Sequence, residues 1–366
     1  MNIFDKQHRA GLSLSLLLSA LLPSAPAAAQ TSVVPYQPGI TQEGAVYYLP
    51  KTAIRVTVRV VKTTYTPGDF CKYAERYLRL TNVRTQPQTT HEVVAVSQMA
   101  VPVADTAKVF SVKFDPKSVA PNVVLSPDGC LLAMNAQAQP VELPLPFVAM
   151  PQKPAQNPRQ FLNEDILSAG STAKMAELTA QEIYDIRESR SLLVKGQADF
   201  MPKDGEQLRL MLNQLTEQDQ ALTSLFTGTV SRDTTEHVLT VVPTSQLDHH
   251  VLFRFSQRLG LVDADDLSGV PYYMSVTNLA TVPAPDATAS AKKKKTDRGV
   301  YVNVPSKMRS AIYCGNDLVD QAEMPAPQFG NTELLSDQLF NKHYTTHLWL
   351  NPVSGAVDKL QAEQPK

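Results

Sequence analysis

Cysteine, tryptophan and glycine are scarce in this chain: three, one and fifteen among 366 residues. Cys71, Cys130 and Cys314 are odd in number and far apart, so at least one stays unpaired or pairs between chains. No C-x-x-C occurs, which removes the thiol redox motif and the zinc ribbon; buried structural thiols are expected instead. Charge of one sign is lacking too, since 34 basic residues face 35 acidic ones. That balance gives no reason to expect a nucleic-acid partner. The most apolar run, 12–22, falls short of the roughly 20 residues a membrane-spanning helix needs, so no transmembrane segment is expected. G-x-S-x-G, H-E-x-x-H, the phosphate-binding P-loop and G-x-G-x-x-G are all missing, and no catalytic residue, cofactor or metal is assigned.

What is present first is an export signal. Lys6 and Arg9 precede the apolar run 12–22, and Ala27, Ala28 and Ala29 supply the small residues of a cleavage site before Gln30. Residues 1–29 are therefore expected to be removed, with no cysteine following to carry a lipid, and the mature protein to be periplasmic or secreted.

Period-two alternation dominates the rest. Ile54, Val56, Val58 and Val60 alternate with Arg55, Thr57 and Arg59, which predicts a strand with one buried face. Thr66-Pro67-Gly68-Asp69 then reads as a helix start, with Phe70, Tyr73, Ala74, Tyr77 and Leu78 on one stripe packed against the 54–60 strand. Further strands are expected at 93–96, 109–114 and 123–125 with 130–134, the last two joined by the turn Ser126-Pro127-Asp128-Gly129. A Gln-, Ala- and Pro-rich stretch at 135–160 marks a boundary. Two helices follow, one capped by Thr179 and ending before Gly196, the other capped by Asp204 with Gln207 and ending at Gly228; the short link between them predicts an antiparallel hairpin. Strands resume at 238–242, 251–255, 272–276, 300–304, 309–313, 346–350 and 356–360, with 280–295 as a surface loop. The expected architecture is α+β: residues 30–150 a β-rich domain with one helix, 151–228 a linker and helical hairpin, 229–366 a second β-rich domain. Val46-Tyr47-Tyr48-Leu49-Pro50 echoes 300–305, and each half closes on a strand, a Pro-containing Gly turn and a strand; two related β domains would leave such an echo, and so would the common chemistry of strands and turns, which is the expectation here.

The segments YYLPKTA (47–53), YTPGDFCKYAERYL (65–78), EIYDIRESR (182–190), LTSLFTG (222–228), PQFG (327–330) and LNPVSGAV (350–357) resemble an exported, uncharacterised protein family of the Bacteroidota. The resemblance spans nearly all of the mature chain. It implies a Gram-negative envelope setting and brings no activity, cofactor or catalytic residue.

Several clusters invite a site. Asp263, Asp265 and Asp266 superficially resemble a calcium loop, but Leu267 and Met274 stand where oxygen ligands belong, so a hairpin turn is expected. His343 and His347 share a strand face without a third ligand; His249 and His250 point to opposite faces. Lys292 to Lys295 read as solvated loop. Tyr184, Arg187, Glu188 and Arg190 are the binding candidates, because Arg187 and Arg190 fall beside Ile183, Ile186 and Leu193, where a face that only filled a core would be aliphatic. A guanidinium fork suits carboxylate or phosphate, and the competing reading is ion pairing to a neighbouring element. The expected function is a non-enzymatic binding or assembly protein of the bacterial cell envelope, with an envelope protein or glycan as partner; an envelope hydrolase acting on glycan or peptide is the alternative.

Overall fold

The computed structural model describes residues 32–36, 44–113, 122–140, 145–150, 156–202, 204–283, 299–336, 339 and 345–363. The expected signal 1–29, His343 and Lys292 to Lys295 lie outside them. The protein is a β-rich α+β fold, as its alternating pattern predicts.

In the first half, β1 is Ser32–Pro35, β2 Ala45–Thr66, β3 Gln88–Lys113, β4 Val123–Leu125 and β5 Leu131–Met134. The alternation at 54–60 is the centre of a longer strand, because Val61, Thr63 and Thr64 continue the β-branched run. The separate strands expected at 93–96 and 109–114 are one strand, β3, which pairs antiparallel with β2 along almost its whole length. After the helices come β6 Thr229–Val241, β7 Leu247–Ser256, β8 Gly260–Val262, β9 Val270–Asn278, β10 Gly299–Cys314, β11 Asp317–Ser336, β12 Thr345–Leu350 and β13 Val357–Glu363. The expected strands 300–304 and 309–313 are likewise one, β10. It turns through Gly315, at φ 61, into β11, a strand the pattern does not reveal.

Three antiparallel sheets result, ordered β1-β3-β2-β6, β11-β10-β9-β7-β8 and β13-β12-β5-β4. The first two face each other: Ile54, Val56, Val58 and Val60 pack on Phe253, Met274, Met308 and Ile312. A second core joins Tyr47, Leu49, Leu131 and Met134 to Val300, Val302, Leu348 and Leu350. Strands from 30–150 and from 229–366 thus share sheets as well as cores: β6 extends the sheet of β2, and β12 pairs with β5.

The helices depart from expectation at their starts. Thr66 stays in the ladder opposite Thr229, so the chain enters a short 3-10 turn at Cys71–Tyr73 and then α1, Ala74–Leu78, without a side-chain cap. Gly68 is pressed on the end of a later helix, where a Cβ would lie 2.1 Å from the Leu225 carbonyl oxygen. Phe70 accordingly packs on Phe226, Ile183 and Leu222, and Tyr73 and Tyr77 join this helical core half-buried; none packs on the 54–60 strand, whose inward face belongs to the sandwich. After a single turn α2 at Glu164–Leu167, α3 is Thr172–Lys195 and α4 is Gly205–Thr227. Ser171, not Thr179, caps α3; Thr179 is buried about two turns in, its hydroxyl satisfied by donation to the Met175 carbonyl at 2.8 Å. The Asp204 cap, the left-handed Gly196 and the stop at Gly228 stand as expected.

The two halves are built alike. In each, a long hairpin is interrupted where one residue faces a bulge: Leu49 of β2 opposite 105–108 of β3, and Pro305 of β10 opposite 327–330 of β11. In each, the first strand of that hairpin donates to a turn glycine of the closing hairpin, Tyr48 N–H to Gly129 O at 2.9 Å and Asn303 N–H to Gly355 O at 3.1 Å. The closing hairpins β4-β5 and β12-β13 meet through β5 and β12. The sequence echo therefore has an architectural counterpart.

Candidate functional site

Tyr184, Arg187, Glu188 and Arg190 all lie on α3, which puts them close by construction, but they are put to different uses. Arg187 turns to α4: its Nε donates to Asp219 Oδ1 at 2.9 Å and a terminal nitrogen to Thr223 Oγ1 at 3.2 Å. That is the interhelical ion pair a partly buried arginine calls for. Tyr184, 46 % exposed, donates its hydroxyl to the Tyr77 carbonyl at 3.1 Å and so ties α3 to α1. Glu188 is exposed, and Arg190 is half-buried with no ion pair among the described residues.

The other clusters resolve locally. Asp266 accepts from the Ser268 N–H at 2.9 Å, and this backbone hydrogen bond, with one from the Ser268 hydroxyl, holds its carboxyl below the usual carboxylate range. The Asp263 to Asp266 segment is a turn between β8 and β9. Among the described residues no three His, Cys, Asp or Glu side chains are placed to hold a metal. His249 bonds to its neighbour Asp248, and Cys71, Cys130 and Cys314 are all free.

Two open clefts carry unspent hydrogen-bonding groups. One, of about 610 Å³, lies where α4 turns into β6 and α1 leads towards β3. Arg79 and Arg84 flank it, Thr81 and Asn82 edge it, and Leu80 and Val230 supply apolar surface. Neither arginine has an ion pair among the described residues, Arg84 donating instead to the Gln88 side chain at 2.8 Å.

The other, of about 690 Å³, opens on the sheet that joins the two halves and is lined by Asn122, Asn135, Gln137, Thr345 and His347 with small apolar neighbours. Along β12, Thr345, His347 and Trp349 alternate with the buried Thr346, Leu348 and Leu350, so they share the outward face. The Trp349 ring stacks 6.0 Å from that of His347, with Lys359 Nζ 4.9 Å from its centroid on the adjoining strand. His347 Nδ1 contacts the Asn135 carbonyl oxygen, which can only accept; Nδ1 therefore carries the proton, and Nε2 lies 3.8 Å from Glu363. Sequence reasoning noted His347 only as a weak metal ligand and missed its companions. The Thr345-His347-Trp349 alternation was a usable signal; the approach of Asn122 and Gln137 was not.

A family model described as a domain of unknown function, DUF4831, matches residues 43–358, which takes in β2 to β12 and the helical hairpin and leaves out β1 and most of β13. The chain belongs to the DUF4831 family. No curated protein and no solved structure matches it. Three of the segments quoted above, 47–53, 327–330 and 350–357, meet at the seam of the halves, while 65–78, 182–190 and 222–228 build the helical core: the Gln328 amide bonds to Thr52, Lys108 Nζ approaches Asn303 Oδ1 and the Pro327 carbonyl, and Asn303 Nδ2 donates to the Pro50 and Ser354 carbonyls at 2.8 and 3.0 Å. These DUF4831 contacts hold the fold. Among the described residues no DUF4831 helix is long and apolar enough to cross a membrane.

Proposed function

We propose that this chain is a non-enzymatic binding or assembly protein of the bacterial cell envelope, exported through the signal at 1–29 and working in the periplasm or outside the cell of a member of the Bacteroidota. The observation that carries this reading is the chemistry of the two clefts: amides, hydroxyls, an imidazole and guanidinium groups line them, and among the described lining residues there is no carboxylate. Such a set holds a ligand by hydrogen bonds and charge, whereas glycoside hydrolysis needs a pair of carboxylates facing across the scissile bond. Arg190, half-buried on α3 with no ion pair among the described residues, adds a guanidinium suited to an acidic partner.

The mature chain from Gln30, immobilised and exposed to a detergent-solubilised envelope extract, tests the proposal. Reproducible retention of one envelope protein or glycan supports it. Retention of nothing, together with turnover of envelope glycan or peptide by the free protein, would replace it with the hydrolase.

A further inference from the structure

We propose that the cleft between β4-β5 and β12 is a binding site for a neutral oligosaccharide, built of hexose or N-acetylhexosamine units. This deepens the binding reading above and rests on it. The lining side chains Asn122, Asn135, Gln137, Thr345 and His347 are all without formal charge when the imidazole is neutral, and together they offer both donors and acceptors. A sugar hydroxyl is donor and acceptor at once, so a mixed neutral lining matches it; the charged groups nearest to it on this face, Glu363 beside His347 and Lys359 beside Trp349, are of opposite sign and give a polyanion no net attraction. Asn135 is spent on the fold, its Oδ1 accepting from the Asn122 N–H at 2.8 Å and its Nδ2 donating to the Thr346 carbonyl at 3.0 Å. The Asn122 and Gln137 side chains, both exposed, stand at the rim. Trp349 continues the same face of β12 beyond His347, so an apolar ring lies beside the polar groups. The carbon-bound hydrogens of one pyranose face suit such a ring while the equatorial hydroxyls reach the amides. The volume, about 690 Å³, admits a short oligosaccharide.

Trp349 is the single tryptophan of the chain, so its fluorescence reports on this face directly. The experiment titrates the mature protein with cellohexaose, mannohexaose and chitohexaose, with polygalacturonate as the charged comparison. The proposal expects a saturable fluorescence change with at least one neutral hexaose and a weaker one, or none, with polygalacturonate. The double variant Asn122→Ala/Gln137→Ala, which removes two exposed side chains and should melt like the wild type, is expected to weaken that binding by about tenfold or more. Three results would overturn the proposal: no change with any of the hexaoses, equal binding by the double variant, or preference for polygalacturonate. Retention of an envelope protein in the pull-down alongside a flat titration would remove the oligosaccharide site and leave the binding reading standing.

Discussion

The side chain of Gln328 completes the backbone ladder of Thr52: its Nε2 donates to the Thr52 carbonyl at 2.9 Å and its Oε1 accepts from the Thr52 N–H at 3.1 Å. β6 ends at Val241 opposite Ile54, so the next ladder position beside β2 has no strand partner, and Nε2 also reaches the Pro243 carbonyl at 3.3 Å. A side-chain amide here does the work of one more residue of strand. Because Thr52 is fully buried, Gln328→Ala leaves its N–H and carbonyl unpaired without access to water, at about 2–4 kcal/mol for the pair. Chemical denaturation is expected to show that loss, with Gln328→Glu nearly as damaging since it removes the donor. A midpoint unchanged in both variants would refute this role.

Tyr47 makes the protein sensitive to alkali. Its hydroxyl accepts from the Tyr301 N–H at 2.9 Å and donates to the Tyr301 carbonyl at 3.3 Å, and burial pushes the phenol well above its usual value of about 10. The folded state thus keeps a proton that the unfolded chain releases. This contribution is complete below pH about 10 and is lost as pH rises beyond it towards the folded value. Tyr47→Phe is expected to cost about 1–2 kcal/mol at neutral pH and to flatten the decline of stability above pH 10. Parallel alkaline limbs in urea titrations of the two proteins would rule it out.

The helical core rests on Phe70 rather than on its neighbouring tyrosines. Phe70 is buried 5.5 Å from the Phe226 ring, while Tyr73 and Tyr77 are half-buried. Phe70→Ala is expected to destabilise by about 3–5 kcal/mol and Tyr77→Ala by distinctly less. Equal losses in thermal melts would mean that Tyr77 is as deeply packed as Phe70.

Arg187 and Arg190 are expected to separate in a paired assay. Arg187→Ala breaks the bond to Asp219, and with the arginine side chain 38 % exposed the loss should be about 1 kcal/mol. Arg190→Ala should stay within about 0.5 kcal/mol of the wild type and reduce retention of an acidic envelope partner. A large drop in melting temperature for Arg190→Ala would make that residue structural.

The proposed export would leave a direct trace. Intact-mass analysis of the protein recovered outside the cytoplasm is expected to give a chain beginning at Gln30. A recovered chain that still begins at Met1 would end the export reading.

Local physics was enough for a good part of this protein. Alternation at 54–60, the Pro127-Asp128-Gly129 hairpin, the Asp204 cap and the glycines at 196 and 228 each act within a few residues, and each is found where the pattern puts it. The same locality explains the errors. Thr66 has the chemistry of a cap but is claimed by the β2-β6 ladder, and Thr179 is buried because another helix covers it. β11 escapes notice because Pro325 and Pro327 spoil its pattern, and pairing with β10 holds it nonetheless. The clefts and the seam depended wholly on tertiary structure. Asn122 and His347 meet only because β5 pairs with β12, and Gln328 finds Thr52 only because β11 packs against β2. Strand order between distant segments is set by which buried faces fit one another, and that complementarity is a property of assembled surfaces that no window along the chain contains.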